Sequence, residues 1–263
     1  MIGVNISGAE FGTGTTHDVN YHYPTASEIA YYKNAGVSLI RLPFTWERMQ
    51  PTLGGALSST ELGLLKRVLS DAASMGVSVI IDLHNYGRYG GNTIGSAQVS
   101  NAQFADFWAK LSGALVGSAG LVGLDIMNEP HDMGGAGRWK SAAQAAVDAI
   151  RTKDKAIAIY VEGDNWSTAS NWMSSNADFI MRDPSNNIIY EAHQYFDRYS
   201  QGFYNNSYDG EGAYANIGVD RLAPFAKWLK DNGLKGFMGE FGVPSNDPRW
   251  IEVQKRFVEA LNA

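Results

Sequence analysis

Two glutamates stand at the ends of apolar runs: Glu129 follows Asn128 in "LVGLDIMNEP", and Glu240 closes "GFMGE". Three further runs end in the same way, with Arg41 in "LIRLPF", His84 in "IIDLHNY", and His193 and Tyr195 in "YEAHQY". Each residue alone has a structural explanation, since an arginine can pair with a neighbour and a histidine can be a satisfied core group. Together they resist it. Independent structural roles do not place ionisable groups at the carboxyl ends of successive strands, and burying each apart from the others would be costly. A shared, partly wet pocket, where such groups can give, take or stabilise protons, accounts for all of them. Pro130 cannot donate to a strand ladder, so it ends its run where Glu129 reaches solvent.

The elements that must position these residues are legible as short apolar runs rich in β-branched residues: Ile2–Ile6, Val37–Leu42, Val77–Leu83, Leu121–Met127, Ala156–Val161, Ile188–Ala192 and Gly236–Phe241. Their continuity, rather than alternation, predicts parallel strands buried on both faces. Helical patterns lie between them. Thr25 to Glu28 and Ser58 to Glu61 have capping-box spacing, and Gly36, Gly76 and Gly233 stand where helices need a left-handed C-terminal residue. Successive runs start roughly 30 to 48 residues apart, enough for a right-handed crossover between parallel neighbours. The segment Tyr199 to Ile217, rich in Gly, Asn and Tyr, reads as a long surface loop.

The totals bound the class. At 263 residues, with no internal repeat, low-complexity tract or linker, the chain is expected to form one domain over residues 1–263. Hydrophobic content of 44% and charged content of 18% fit a soluble globular protein. A net charge of −6 offers no broad cationic surface for nucleic acid or an anionic membrane. No apolar run approaches the roughly 18 residues of a membrane-spanning helix. Without cysteine there is neither disulfide nor thiolate metal site. The opening Met1 to Ile6 lacks the basic and apolar regions of a secretory signal, which suits a cytoplasmic chain or one whose signal has been removed.

Strand, loop and helix in repetition allow an open doubly wound sheet or a closed barrel. An open sheet binds at one crevice, whereas a barrel collects residues from the ends of many strands at one face. The polar strand ends favour the barrel, and no Gly-x-Gly-x-x-Gly follows any strand to support dinucleotide binding.

With these residues in view, the chain resembles glycoside hydrolase family 5. "NEP" and "GEFG", with "RLPF", "DLHNYGRY" and "YEAHQY", carry the likeness, and "GVNISGAEFG" and "NEPHDM" are similar to its endo-β-1,4-glucanase (cellulase) branch. The resemblance implies a (β/α)8 TIM barrel and a retaining hydrolase of cellulose or related β-glucans. In it Glu129 would be the general acid/base and Glu240 the nucleophile, with carboxyl groups about 5 to 5.5 Å apart. Arg41 would keep Glu240 ionised, Tyr195 would donate to the same carboxylate, and Asn128 would donate to a sugar hydroxyl. His193 and His84 would line the cleaved-sugar subsite. No cofactor or metal is implied, and the resemblance implies secretion only because the polymer cannot cross a membrane.

Aromatic residues sort by position. Trp108, Trp139, Trp228 and Trp250 fall in helical patterns and are expected to pack, with Trp172 undecided. Trp46 and Trp166 follow strands and are candidates to line a sugar groove, as are Tyr86 and Glu10. His17, His22 and His131 show no zinc-ligand spacing. Glu162, ending "YVE", is expected to support the site or the fold. Only seven strands are countable, and the family's eighth unit, with its subsite tryptophan, has no counterpart, so a monomer is expected unless another chain supplies that unit. Mannan or mixed-linkage glucan hydrolysis, or carbohydrate binding without turnover, are the alternatives. A phosphate-handling barrel would need a glycine-rich loop where "GEFGVPSND" stands.

Overall fold

The computed structural model describes residues 3–262, so Met1, Ile2 and Ala263, and with them the edges of the first apolar run and the last helical pattern, lie outside the described residues. The strands are β1 (Gly3–Asn5), β2 (Leu39–Phe44), β3 (Ser78–Leu83), β4 (Arg88–Tyr89), β5 (Asn92–Thr93), β6 (Leu121–Asp125), β7 (Ala158–Glu162), β8 (Ile188–His193) and β9 (Gly236–Glu240). All seven expected runs became strands. They form one sheet in the order β1-β2-β3-β6-β7-β8-β9, every neighbouring pair parallel. Among the described residues no eighth parallel strand joins it, and the small antiparallel pair β4-β5 was not foreseen. The Asn5 side chain donates to the Gly239 carbonyl at 2.9 Å, bridging the first and last strands of a nearly closed TIM barrel.

Helices α1 (Ala26–Asn34), α2 (Trp46–Met49), α3 (Ser59–Ser74), α4 (Asn101–Leu115), α5 (Arg138–Arg151), α6 (Trp172–Asn176) and α7 (Ile217–Asn232) lie between the strands, and α8 (Pro248–Leu261) follows the last one. Thr25 and Glu28 make the full capping box. Ser58 caps α3 in one direction only, because the Glu61 carboxylate, instead of reaching back, accepts the buried Tyr21 hydroxyl. Residues 199 to 216 form the expected loop.

Period-two alternation explains how the runs place their charges. On one face Ile40, Leu42, Val79, Ile81, Leu124, Ile159, Val161 and Ala192 join the main apolar core. The other face begins with Leu39, Ile80 and Tyr160, backed by Ile189 and Phe237, as a separate apolar floor. Gly123 belongs to this layer, where a Cβ would come within 2.3 Å of the Tyr160 ring. One step further along the same face stand Arg41, Asp82, Asp125, Glu162 and Glu191, all buried. The barrel interior therefore changes from apolar to charged toward the carboxyl ends of its strands.

Trp108 and Trp139 lock helices to this end by donating to Ile126 O at 3.1 Å and Glu162 O at 2.7 Å. Trp228 and Trp250 are buried as expected, and Trp172 joins them, packed against Phe225 and Trp228. Trp46 does not line a groove. It opens α2 directly after β2 and is fully buried against Tyr89, Phe104 and Phe107, its indole N–H on Gln50 at 2.9 Å.

Candidate active site

Arg41 is the centre of the charged layer. Its guanidinium lies 2.6 Å from Asp125, 3.0 Å from each of Asp82, Glu162 and Glu191, and 3.1 Å from Glu240, and it donates to Asn128 Oδ1 at 3.0 Å. Burial opposes its charge, but Asp82, Glu191, Asp125 and Glu240 more than compensate, so its pKa lies well above the ordinary value. The carboxylates outnumber the cations, and they cannot all ionise in a water-poor interior. Burial and Glu191 push Asp125 well up despite Arg41. Burial raises Glu162 to about 7, against the opposing pull of His193.

Glu240 behaves in the opposite way. Burial would raise its pKa, but the positive charges of His193, Arg41 and His84 and the hydroxyl of Tyr195, 3.0 Å from Oε2, bring it down to about 2. It is an ionised carboxylate at neutral pH. Imidazolium character at His193 is sustained similarly: burial disfavours it, yet Glu162 and Glu240 raise its pKa well above the usual histidine value. His84 places Nδ1 2.7 Å from Asp82 and Nε2 3.1 Å from the Tyr86 hydroxyl.

Glu129 meets this group from the other side. Its Oε1 is 3.0 Å from His193 Nδ1, which is also 3.7 Å from Glu240 Oε2. One carboxylate oxygen of Glu129 lies within 4.8 Å of one of Glu240. Glu129 has φ +42, a left-handed conformation unfavourable for its side chain, and its N–H is held by Glu162 Oε2 at 2.7 Å.

These groups open onto a cleft of about 970 Å³ lined by Glu10, His84, Tyr86, Trp166, Tyr195 and Glu240 among others. Trp166 is 41% exposed and stacks on His131, ring centroids 4.3 Å apart, while Tyr86 meets His131 edge-on. Of the residues singled out in the sequence, Glu129, Glu240, Arg41, His84, Asn128, His193, Tyr195, Trp166, Tyr86 and Glu10 converge here, and Trp46 does not. Sequence reasoning passed over Asp82, Asp125 and Glu191. Their signal was a lone acid inside an apolar strand, which for Asp82 and Glu191 stands two residues before a histidine in "DLH" and "EAH", putting acid and histidine on one face. Phe11, Tyr199 and Phe203, exposed on the cleft wall, carried no sequence signal.

Among the described residues, three clusters have ligand atoms close enough for a metal ion. In Glu162–Glu191–His193 the Arg41 guanidinium already stands 3.0 Å from both carboxylates. Glu129–His193–Glu240 shares His193, whose pKa, despite burial, Glu162 and Glu240 hold above the usual histidine value. In His17–Asp18–His22, His17 Nε2 accepts the Tyr23 N–H at 3.2 Å, so a neutral ring carries its proton on Nδ1, the atom facing Asp18.

The model of the cellulase family (glycosyl hydrolase family 5) matches residues 4–263. The chain is 35% identical over 256 residues to a probable endo-beta-1,4-glucanase B of Neosartorya fischeri, covering 93% of this chain and 73% of that protein. It is similar to the Pseudomonas stutzeri endoglucanase Cel5A in complex with cellobiose, at 44% identity and TM-score 0.95, covering 99% of this chain and 79% of that one. An endo-beta-1,4-glucanase of Xanthomonas axonopodis pv. citri superposes with TM-score 0.92 at 36% identity, covering 99% and 83%.

Proposed function

The chain belongs to glycosyl hydrolase family 5, the cellulase family, and from that membership we infer that it is an endo-β-1,4-glucanase cleaving internal bonds of cellulose or related β-glucans with retention. The residue assignment rests on one observation. The two glutamates approach within 4.8 Å between carboxylate oxygens, as a retaining pair does, whereas an inverting pair stands about 6.5 to 9.5 Å apart to admit a water.

In this reading the Glu240 carboxylate attacks the anomeric carbon while Glu129 gives its proton to the departing glycosidic oxygen. The glycosyl-enzyme ester is then opened by water, whose proton Glu129 takes back. Arg41 and Tyr195 hold Glu240 ionised and aimed. Asn128 Nδ2, buried without a protein partner among the described residues, supplies a donor for a sugar hydroxyl. Trp166, Tyr86 and Glu10 line the groove for neighbouring sugars.

The test is to incubate the protein with cellopentaose and read the anomeric protons of the first products by NMR. The β-anomer is expected to appear first. An α-anomer would remove the double-displacement assignment, and release of reducing sugar from mannan but not carboxymethylcellulose would move the substrate. Trp166→Ala is expected to raise KM for cellopentaose about fivefold, the loss of roughly 1 kcal/mol of aromatic contact, with little change in kcat. An unchanged KM would take Trp166 out of the binding surface.

No helix among the described residues is long and apolar enough to cross a membrane. We place the protein outside the cell because its polymeric substrate cannot enter one. We read residues 1–263 as a single catalytic barrel that works as a monomer unless another chain supplies the eighth unit.

A further inference from the structure

Glu162 touches the proposed acid/base at two points. One oxygen accepts the Glu129 backbone N–H at 2.7 Å, and the other lies 3.2 Å from His193 Nε2, on the imidazole whose Nδ1 meets the Glu129 side chain at 3.0 Å. The first contact restrains a backbone that would otherwise leave its left-handed conformation, a strain that persists only where the surroundings impose it. The second is an ion-pair contact at the ring nitrogen facing away from Glu129, short of a hydrogen bond. Glu162 is itself immobilised, since it is fully buried, its Oε1 accepts Arg41 Nη2 at 3.0 Å and its carbonyl accepts the Trp139 indole.

We propose that Glu162 is a positioning residue for Glu129, clamping its main chain directly and its carboxyl through His193, so that proton delivery to the leaving group depends on a side chain that substrate never touches. The proposal rests on the reading of Glu129 as acid/base. Its consequence is selective: a misplaced acid matters for leaving groups that need a proton and matters little for those that leave unaided. Glu240 makes no direct contact with Glu162: it shares Arg41 and His193 with it but keeps its own bond from Tyr195.

The experiment compares kcat/KM, which reports glycosylation, for phenyl and 2,4-dinitrophenyl β-cellobioside. Glu162→Gln is expected to lose about 30- to 100-fold on the phenyl substrate and less than about threefold on the dinitrophenyl one. Glu162→Asp keeps the charge but is one methylene too short to reach both Glu129 N–H and His193. It should show the same bias and stands in if the Gln variant does not fold. Equal losses on both substrates, or parental values on both, would overturn the proposal by making Glu162 a structural residue. A parent that cleaves neither cellobioside removes the premise and the proposal with it.

Discussion

Glu240→Ala is expected to lower kcat on carboxymethylcellulose about 10⁴-fold, a barrier increase of about 5 kcal/mol, while leaving the fold intact. The side chain touches few structural partners: among the described residues Arg41, Tyr195 and His193 address its carboxylate, and Arg41 retains four buried acids when it is gone. Truncation leaves a space beside the anomeric carbon that a small anion can enter. Added azide is therefore expected to restore turnover of 2,4-dinitrophenyl β-cellobioside and to give the α-glycosyl azide, the product of a single displacement. The same azide acting on Glu129→Ala should give the β-product, because there the glycosyl-enzyme still forms first. Recovery of the β-azide from Glu240→Ala would exchange the two roles.

The parent also has a defined acid response. With its pKa lowered to about 2 from 4.5, Glu240 contributes stability that is complete above pH 4.5 and is lost as pH falls toward 2. His193, with its pKa raised, has the opposite sign: its contribution is complete below about 6.5 and is lost as pH rises through its folded value.

The seven strands and the five polar strand ends were readable because parallel strands buried on both faces leave continuous apolar runs, against which an ionisable residue stands out. Trp46 shows where position stops sufficing. Residues just past a strand line the cleft or turn into a helix, and only the packing of Phe104 and Phe107 on α4 decides between them. Trp166 follows its strand by a similar distance, yet Asn165, Trp166 and Ser167 all take positive φ, which swings the ring onto His131 and into the cleft. Such consecutive left-handed residues have no local sequence rule to announce them outside Gly and Asn. Asp82, Asp125 and Glu191 were hidden for another reason: each run offers one acid, and their concentration around Arg41 exists only once the sheet has curled.

That concentration sets the largest expected stability effect. Arg41→Met keeps an unbranched apolar stem, ends two atoms short of the guanidinium tips, and removes the guanidinium facing Asp82, Asp125, Glu162, Glu191 and Glu240. Removing one partner of a buried ion pair costs about 3 to 5 kcal/mol, and here several carboxylates lose a partner together, so a loss of about 5 kcal/mol in urea unfolding at pH 7.5 is expected. Its pH dependence identifies the cause. Without the cation Asp125 and Glu162, already raised in the parent, rise further and Glu240 loses part of its lowering, so the folded variant takes up more protons than the folded parent and becomes relatively more stable as pH falls. The deficit against the parent should therefore shrink between pH 7.5 and pH 5. A lost apolar contact or a cavity would cost the same at both pH values. A deficit independent of pH would show that Arg41 holds the barrel by packing, and that its charge does not set the protonation of the acids around it.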